Sequence, residues 1–319
     1  MGMNRIKLGT RGSALALWQA NHIKNKLSEI HPDYEIEIRN IKTLGDSISD
    51  IPLSQIGGDG IFVKQIEIAL LSGEIDFAVH SLKDLPTSLP DGLVIGAITE
   101  RNDPSDVLIS KQNLDFAHLP KGAKVGTSSL RRRSQILHAR KDLNIIEMRG
   151  NVDTRLKKLE SEDLDAIILA YAGVERLGYA NLVTQKLPYD ISLPAVGQGA
   201  LCVEIRENDK ELNDLVRNIN HSDSFATVKA ERAFLKRLGG GCRVPIAALG
   251  QIVNGELKLT GLVGDRDGQT IIRSDISGSM ENVEFIGEKL AEVLLGMGAE
   301  SILDNPLNPP LLRGNPMTT

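Results

Sequence analysis

Apolar residues along this chain follow two alternating rhythms. Short runs that are apolar throughout, or switch side at every residue, read as strands, and longer stretches with apolar positions three and four apart read as helices. Residues 5–9 (RIKLG) predict a strand, and Ser13 then opens a helix whose stripe Ala16, Ala20, Ile23 and Leu27 keeps helical spacing. Further strands are expected at 34–41 (YEIEIRNI), 76–80 (DFAVH) and 93–98. The scheme then restarts with a strand at 123–126 (AKVG), a helix LRRRSQILHAR introduced by Thr127, Ser128 and Ser129, and a strand at 145–148. A helix from about residue 152 and a strand at 166–170 (AIILA) follow. Lys7-Leu8-Gly9-Thr10 lines up with Lys124-Val125-Gly126-Thr127, and IDFAVHS with LDAIILA. The pattern predicts two similar α/β units, with ligand expected in the crevice at the strand C-termini. The alternative is that the echo is only the common grammar of α/β units.

Beyond residue 220 the rhythm changes. A helix at 224–238 runs into Gly239, Gly240 and Gly241, a stop signal. The segments VPIAALGQI, ELKLTGLVG and QTIIRSDI are separated by Asn254-Gly255 and Asp267-Gly268, pairs that suit tight hairpin turns. A last helix is expected at 282–295. This reads as a small α+β unit with an antiparallel sheet, and the Pro-rich tail from residue 305 is expected to be loose.

Composition narrows the function. A chain of 319 residues has room for two or three domains. With 37 basic and 42 acidic residues, a net charge of −5, and only six Phe, four Tyr and one Trp, it lacks the basic surplus and stacking platforms of a general nucleic-acid binder. No apolar run approaches the roughly 20 residues needed to cross a bilayer, and the start of the chain has no signal-peptide core. Two cysteines suit a reducing compartment. A cytoplasmic protein with neither a membrane nor a nucleic-acid partner is therefore expected. No His/Cys/Glu spacing suggests a metal.

The placement of basic residues changes the picture most. Arg11 follows a predicted strand in Gly9-Thr10-Arg11-Gly12-Ser13. Arg131 and Arg132 stand in the first turn of a helix, Arg149 closes a strand, Arg155 lies one to two turns into the next helix, and Arg176 follows another strand. Helix N-termini already favour anions, so a cation there is out of place until an anion arrives. Arginines at several strand ends point to one crevice for a ligand with several carboxylates or phosphates. Against this, Arg131 to Arg133 has the alternative reading of a solvated face, and successive helical residues point about 100° apart. Ser81, Lys83 and Asp84 offer a hydroxyl, a cation and a carboxylate at another strand end; the alternative is a surface Lys–Asp pair. His80 reads as a packed strand residue. Cys242 follows three glycines and precedes Arg243, a setting that favours thiolate, whereas Cys202 in ALCVEI reads as buried and inert. Residues 44–60 (LGDSISDIPLSQIGGDG) are either a surface loop or a lid.

Six blocks in order now carry a family name. GTRGSALAL (9–17), VHSLKDLPT (79–87), VGTSSLRRRSQ (125–135), RGNVDTRL (149–156), LPAVGQGAL (193–201) and GGGCRVPIAA (239–248) resemble the hydroxymethylbilane synthase, or porphobilinogen deaminase, family. The resemblance implies a transferase of porphyrin and haem biosynthesis that joins four porphobilinogen molecules head to tail into the linear tetrapyrrole hydroxymethylbilane, releasing ammonia. It implies a dipyrromethane cofactor tethered through Cys242 and a catalytic carboxylate at Asp84. Arg11, Ser13, Gln19, Ser81, Lys83, Thr127, Ser128, Ser129, Arg131, Arg132, Arg149, Gly150, Arg155, Arg176 and Gln198 match positions that bind cofactor or substrate, and a monomer is expected. The implied fold is two periplasmic-binding-protein-like α/β domains around a cleft, plus a small α+β C-terminal domain carrying the Cys. The expected boundaries are 1–100 with 200–218, 101–199, and 219–319. Two rivals use the same arginines without chemistry: a solute-binding protein for an anionic ligand, and a polyanion-binding regulator.

Overall fold

The computed structural model describes residues 4–43, 63–240 and 244–304. The loop at 44–60, Cys242 with its neighbours Gly241 and Arg243, and the tail from 305 lie outside the described residues. Strand β1 (Asn4–Thr10) pairs in parallel with β2 (Tyr34–Asn40), and α1 (Ala14–Ile30) connects them. The Ser13 hydroxyl starts α1 by accepting from the Ala16 N–H at 3.3 Å, and Gln19, Ala20, Ile23 and Leu27 form its buried face. The chain continues through α2 (Lys64–Leu71), β3 (Phe77–Ser81), a 3₁₀ turn at Leu82–Asp84 and β4 (Leu93–Ile98).

After β4 it crosses into a second unit. There β5 (Asp106–Ser110), β6 (Lys124–Gly126), α3 (Leu130–Ala139), β7 (Asn144–Ile146), α4 (Val152–Ser161), β8 (Ala166–Ala170), α5 (Tyr171–Arg176) and β9 (Gln185–Lys186) follow in order. The chain then returns, and β10 (Leu201–Arg206) enters the first sheet antiparallel between β3 and β4, followed by α6 (Lys210–Arg217).

The two sheets share one plan, β2-β1-β3-β10-β4 and β7-β6-β8-β5-β9. In each, the fourth strand runs antiparallel to its neighbours. The echo read in sequence is therefore a likeness of architecture, and it reaches single hydrogen bonds: Lys7 N–H donates to Asp76 Oδ2 and Lys124 N–H to Asp165 Oδ2, both at 2.7 Å. One expectation is corrected. β7 ends at Ile146 rather than at 148, because the Met148 N–H bonds the Ser128 hydroxyl at 3.0 Å instead of a neighbouring strand.

The third unit lays α7 (Ser222–Arg237) and α8 (Val283–Leu294) on a three-stranded antiparallel sheet, β11 (Ile246–Val253), β12 (Glu256–Gly264) and β13 (Ile271–Gly278). Helix α7 starts at Ser222 rather than 224, capped by His221, which accepts from the Ser224 N–H. Asn254 and Gly255, at φ 53° and 81°, make the expected tight turn. The second turn is longer than expected: the Asp265 carboxylate collects the N–H groups of Asp267, Gln269 and Thr270, so a loop over 265–270 replaces a two-residue turn. Phe234, Leu257, Leu259, Val263 and Leu290 are fully buried in this unit, each stabilising it by about 1.5–3 kcal/mol. Among the described residues no helix is long and apolar enough to cross a membrane.

Where the chain passes between the first two units, the third holds it. The Glu231 carboxylate on α7, wholly buried, accepts from the Arg101 guanidinium and from the N–H groups of Gly197 and Gly250, each at 2.7 Å. At the same crossing Gly199 sits at φ +90°, with Asn102 O 2.3 Å from where a Cβ would stand. No other residue fits there.

Candidate functional site

The parallel strands of both sheets end on the same side of their units, and the candidate residues stand at those ends. Past β1, Arg11 and Ser13 line a pocket of about 410 Å³ empty volume together with Gln19, His80, Ser81 and Asp84. The buried Gln19 amide donates to the Ser81 hydroxyl at 2.7 Å, so α1 fixes that hydroxyl at the end of β3. An adjoining pocket, about 280 Å³ empty, is built by both units: Ser81 and Lys83 from one side, Ala172, Gly173 and Arg176 from the other, and Gly199 and Ala200 from the crossing.

Lys83 and Asp84 share the 3₁₀ turn after β3, with Asp84 exposed and Lys83 half-buried. The Lys83 ammonium donates to Gln198 Oε1 at 3.4 Å. Desolvation, reinforced by the charges of Arg132 and Arg131, lowers its pKa to about 8 against the opposing pull of Asp84 and Asp106. The Asp84 charge also reaches Arg155 of the second unit, whose guanidinium burial and Arg132 bring down to about 10. Arg155 Nε donates to Gly150 O at 2.8 Å. Burial likewise lowers Arg176 to about 10; it donates to Asn102 Oδ1 and Gly199 O and lies 5.7 Å from the Trp18 ring centre. Cations crowded and desolvated in this way are relieved by an arriving anion.

Arg131 and Arg132 answer to a residue that sequence reasoning missed. Asp106, at the head of β5 and wholly buried, accepts from Arg131 Nη1 at 2.6 Å, Arg132 Nη2 at 2.7 Å, the Ser192 hydroxyl at 2.8 Å and the Gln198 amide at 2.9 Å. Burial acts to raise its carboxyl, but the charges and hydrogen bonds of the two arginines overcome this and hold it well below the carboxylate range. Arg131 also donates to Leu193 O and Arg132 to Ile168 O. The pair is thus neutralised in part from within the protein. The one available signal was a charged residue heading the apolar run DVLIS. Arg133 points elsewhere, to Arg266 O and Asp267 of the third unit.

The remaining candidates are placed as follows. Ser129 caps α3 by accepting from the Arg132 N–H, and the buried Thr127 accepts from the Ser129 N–H. Ser128 ties this turn to Met148, donating to its carbonyl and accepting from its N–H. Arg149 is half-exposed as a residue, yet its Nε and Nη2 are buried with no hydrogen-bond partner among the described residues, as is Nε of Arg176. Gly150 is exposed at φ +113°. Gln198, buried, links Lys83 to Asp106. Arg11, Ser13, Gln19, Ser81 and Asp84 therefore share one pocket, and Lys83 and Arg155 each feel the charges of Arg132 and Asp84, while Ser128 and Gly150 serve local backbone geometry. His80 and Cys202 are buried as expected, and burial pushes the Cys202 thiol far up. Among the described residues no group of three or more His, Cys, Asp or Glu could hold a metal ion.

Comparison with known proteins gives a consistent result. A family model described as "Porphobilinogen deaminase, dipyromethane cofactor binding domain" matches residues 6–214, and "Porphobilinogen deaminase, C-terminal domain" matches 225–296. Similar curated proteins named porphobilinogen deaminase include that of Geobacter sulfurreducens, 52% identical over 303 residues and covering 95% of each chain. That of Pelobacter propionicus is 51% identical over 304 residues, covering 95% of this chain and 98% of the relative. Among solved structures, the methionine-binding protein MetQ matches with TM-score 0.42 at 15% identity, covering 69% of this chain and 91% of that one.

Proposed function

The chain belongs to the porphobilinogen deaminase family, and from that premise we propose that it condenses four porphobilinogen molecules head to tail into hydroxymethylbilane with release of ammonia, in tetrapyrrole synthesis. The observation that carries the reading is a carboxylate, Asp84, exposed at a strand end whose charge acts on Lys83 of its own unit and Arg155 of the opposite one. Each pyrrole of substrate or product brings an acetate and a propionate. Lys83, Arg11, Arg155 and Arg176 are suited to those carboxylates, because burial has made their bare cationic state costly or because they line the pocket beside Asp84. The unpartnered buried N–H positions of Arg149 and Arg176 fit further carboxylates.

A dipyrromethane group, when bound, supplies the primer on which the tetrapyrrole is built. The residues present fit a polycarboxylated group of that kind, and its attachment to Cys242 belongs to this reading. Asp84 faces the substrate's pyrrole N–H and stabilises the positive charge that develops as ammonia leaves, an effect worth about 3 kcal/mol where water is excluded. Asp106 and Gln198 hold Arg131, Arg132 and Lys83 in place throughout. The same reading divides the chain into 1–100 with 200–218, 101–199 and 219–319, and has the enzyme act in the cytoplasm as a monomer without a nucleic-acid partner.

The intact mass of the purified protein tests this. An excess equal to a dipyrromethane adduct is expected, abolished in Cys242→Ala, and porphobilinogen should be converted to a linear tetrapyrrole. The bare chain mass in the native protein, with an anionic ligand bound but unconverted, would instead support a solute-binding role.

A further inference from the structure

Behind the pocket that holds Asp84 lies a set of titratable groups the reaction above does not use. Glu204, on β10 in the interior of the first sheet, is wholly buried, and its Oε2 lies 2.9 Å from Nε2 of His80 on β3. Its Oε1 is buried and has no hydrogen-bond partner among the described residues. Glu67, on α2, is only 7% exposed, and its Oε1 is likewise buried and unpartnered. Helix α2 packs on β1, β3 and β10, and Glu67 lies within reach of the Glu204 charge. Two charged carboxylates buried within reach of one another, each with an oxygen left without a partner among the described residues, are disfavoured, and this setting favours a neutral form for one of them.

The surroundings favour Glu67 as that one. Burial, then the charge of Glu204, raises its carboxyl, while His80 and Lys64 act in the opposite direction. Among the described residues, the other groups near the cluster include Arg11, which lines the same pocket as His80. Cys202 on β10 has a thiol that burial keeps protonated, and Arg232 on α7 is turned to the carbonyls of Leu85 and Pro86. Asp84 stands beyond β3, and Lys7 of β1 lies on the same sheet face by strand alternation. His80 lines the pocket that Asp84 lines, so it joins the buried acids to the reaction site.

We propose that His80, balanced by Glu204 and with Glu67 behind the pair, takes up the proton freed in each turn and acts as the proton store of the pocket in which Asp84 stands. The inference rests on the proposed condensation. In each turn the C–N bond of the substrate's ammonium group breaks, with its electron pair leaving on ammonia. A C–C bond forms to the α-carbon of the terminal pyrrole, and that carbon's C–H bond then breaks, its pair restoring the aromatic ring. The proton so freed ends on ammonia as ammonium, which balances the turn. Because ammonia is expelled before the C–H bond breaks, the proton needs a holder in between. His80 accepts it on the pocket side, the Glu204 carboxylate balances the imidazolium, and the protonated Glu67 spares Glu204 a second negative neighbour. Asp84 remains the group against the substrate.

The test uses the adduct-bearing enzyme and the variants Glu67→Gln and His80→Asn. Infrared spectra of the native enzyme at neutral pH should show the carbonyl band of a protonated carboxyl group that is missing in Glu67→Gln. Both variants should carry the adduct and melt near the native temperature. In His80→Asn kcat should fall about 10-fold or more with KM unchanged, and one limb of the kcat–pH profile should disappear. A native spectrum without that band, or a His80→Asn enzyme with native kcat across pH, would overturn the proposal. If His80→Asn does not fold, Glu204→Gln decides, since it keeps the shape of Glu204 and removes the charge that balances the imidazolium: the same loss of kcat is expected, and native kcat would overturn the proposal. Failure of the proposed reaction would show separately, as a native protein of bare chain mass.

Discussion

Asp106 shows how one side chain reorganises several others. Arg131 and Arg132 stand at a helix N-terminus, where two cations oppose the helix dipole, and a buried carboxylate under them removes the conflict. The placement of these arginines was legible in sequence because each follows a strand. Their partner was not, because a carboxylate before an apolar run looks like any loop residue until the antiparallel β5 brings it beneath α3. Replacing it by Asn leaves two guanidinium groups buried with half their compensation. Asp106→Asn should therefore cost about 3–5 kcal/mol in denaturant unfolding and leave much of the protein without its adduct by intact mass. Lys83 gives a second expectation. Its folded pKa of about 8 lies below that of an unfolded lysine, so the unfolded chain binds more protons between about 8 and 10.4, and stability contributed by this group rises with pH across that window. Carboxylate binding needs the protonated form and moves the other way. Thus kcat/KM should decline as pH rises past 8, and Lys83→Met should lower it at neutral pH and remove that decline.

At the level of elements, sequence patterning located helices better than the ends of strands. The Thr127-Ser128-Ser129 opening of α3 was readable because capping is a local hydrogen bond, and the Ser129 hydroxyl makes that bond. The end of β7 was not, because it is decided by Ser128, twenty residues away. The turn after β7 depends on Gly150. At φ +113°, with Thr154 Cγ2 2.5 Å from the position of a Cβ, this backbone suits glycine, while Asn151 caps α4 by accepting from the Thr154 N–H. Gly150→Ala should destabilise the protein by more than about 1 kcal/mol and shift the loop that carries Arg149. A lower melting temperature together with weaker adduct retention would bear this out, and a native melting curve would show that the loop yields without strain.

Across the whole molecule, the third unit is fastened where the chain passes between the other two. Glu231 bonds Arg101 on one crossing segment and Gly197 on the other, and Arg101 Nε donates to Gln198 O beside the Lys83–Asp106 link. Glu231→Ala should cost about 3–5 kcal/mol, separate the unfolding of the third unit from the rest in calorimetry, and lower kcat through Gln198. A single unchanged transition would show that the ion pair is not what couples them. The alternation of helix and strand, the change of style after residue 220, the gathering of arginines at strand ends and the family itself were all determined by the sequence, because each is written in local spacing or in contiguous blocks. Only the tertiary structure decided that β10 and β5 fill matching antiparallel places, that Asp106 partly neutralises Arg131 and Arg132, and that Glu204 pairs with His80 while its charge reaches Glu67. Those outcomes depend on residues distant in the chain meeting out of water, where the energy of a charge is set by its neighbours in space.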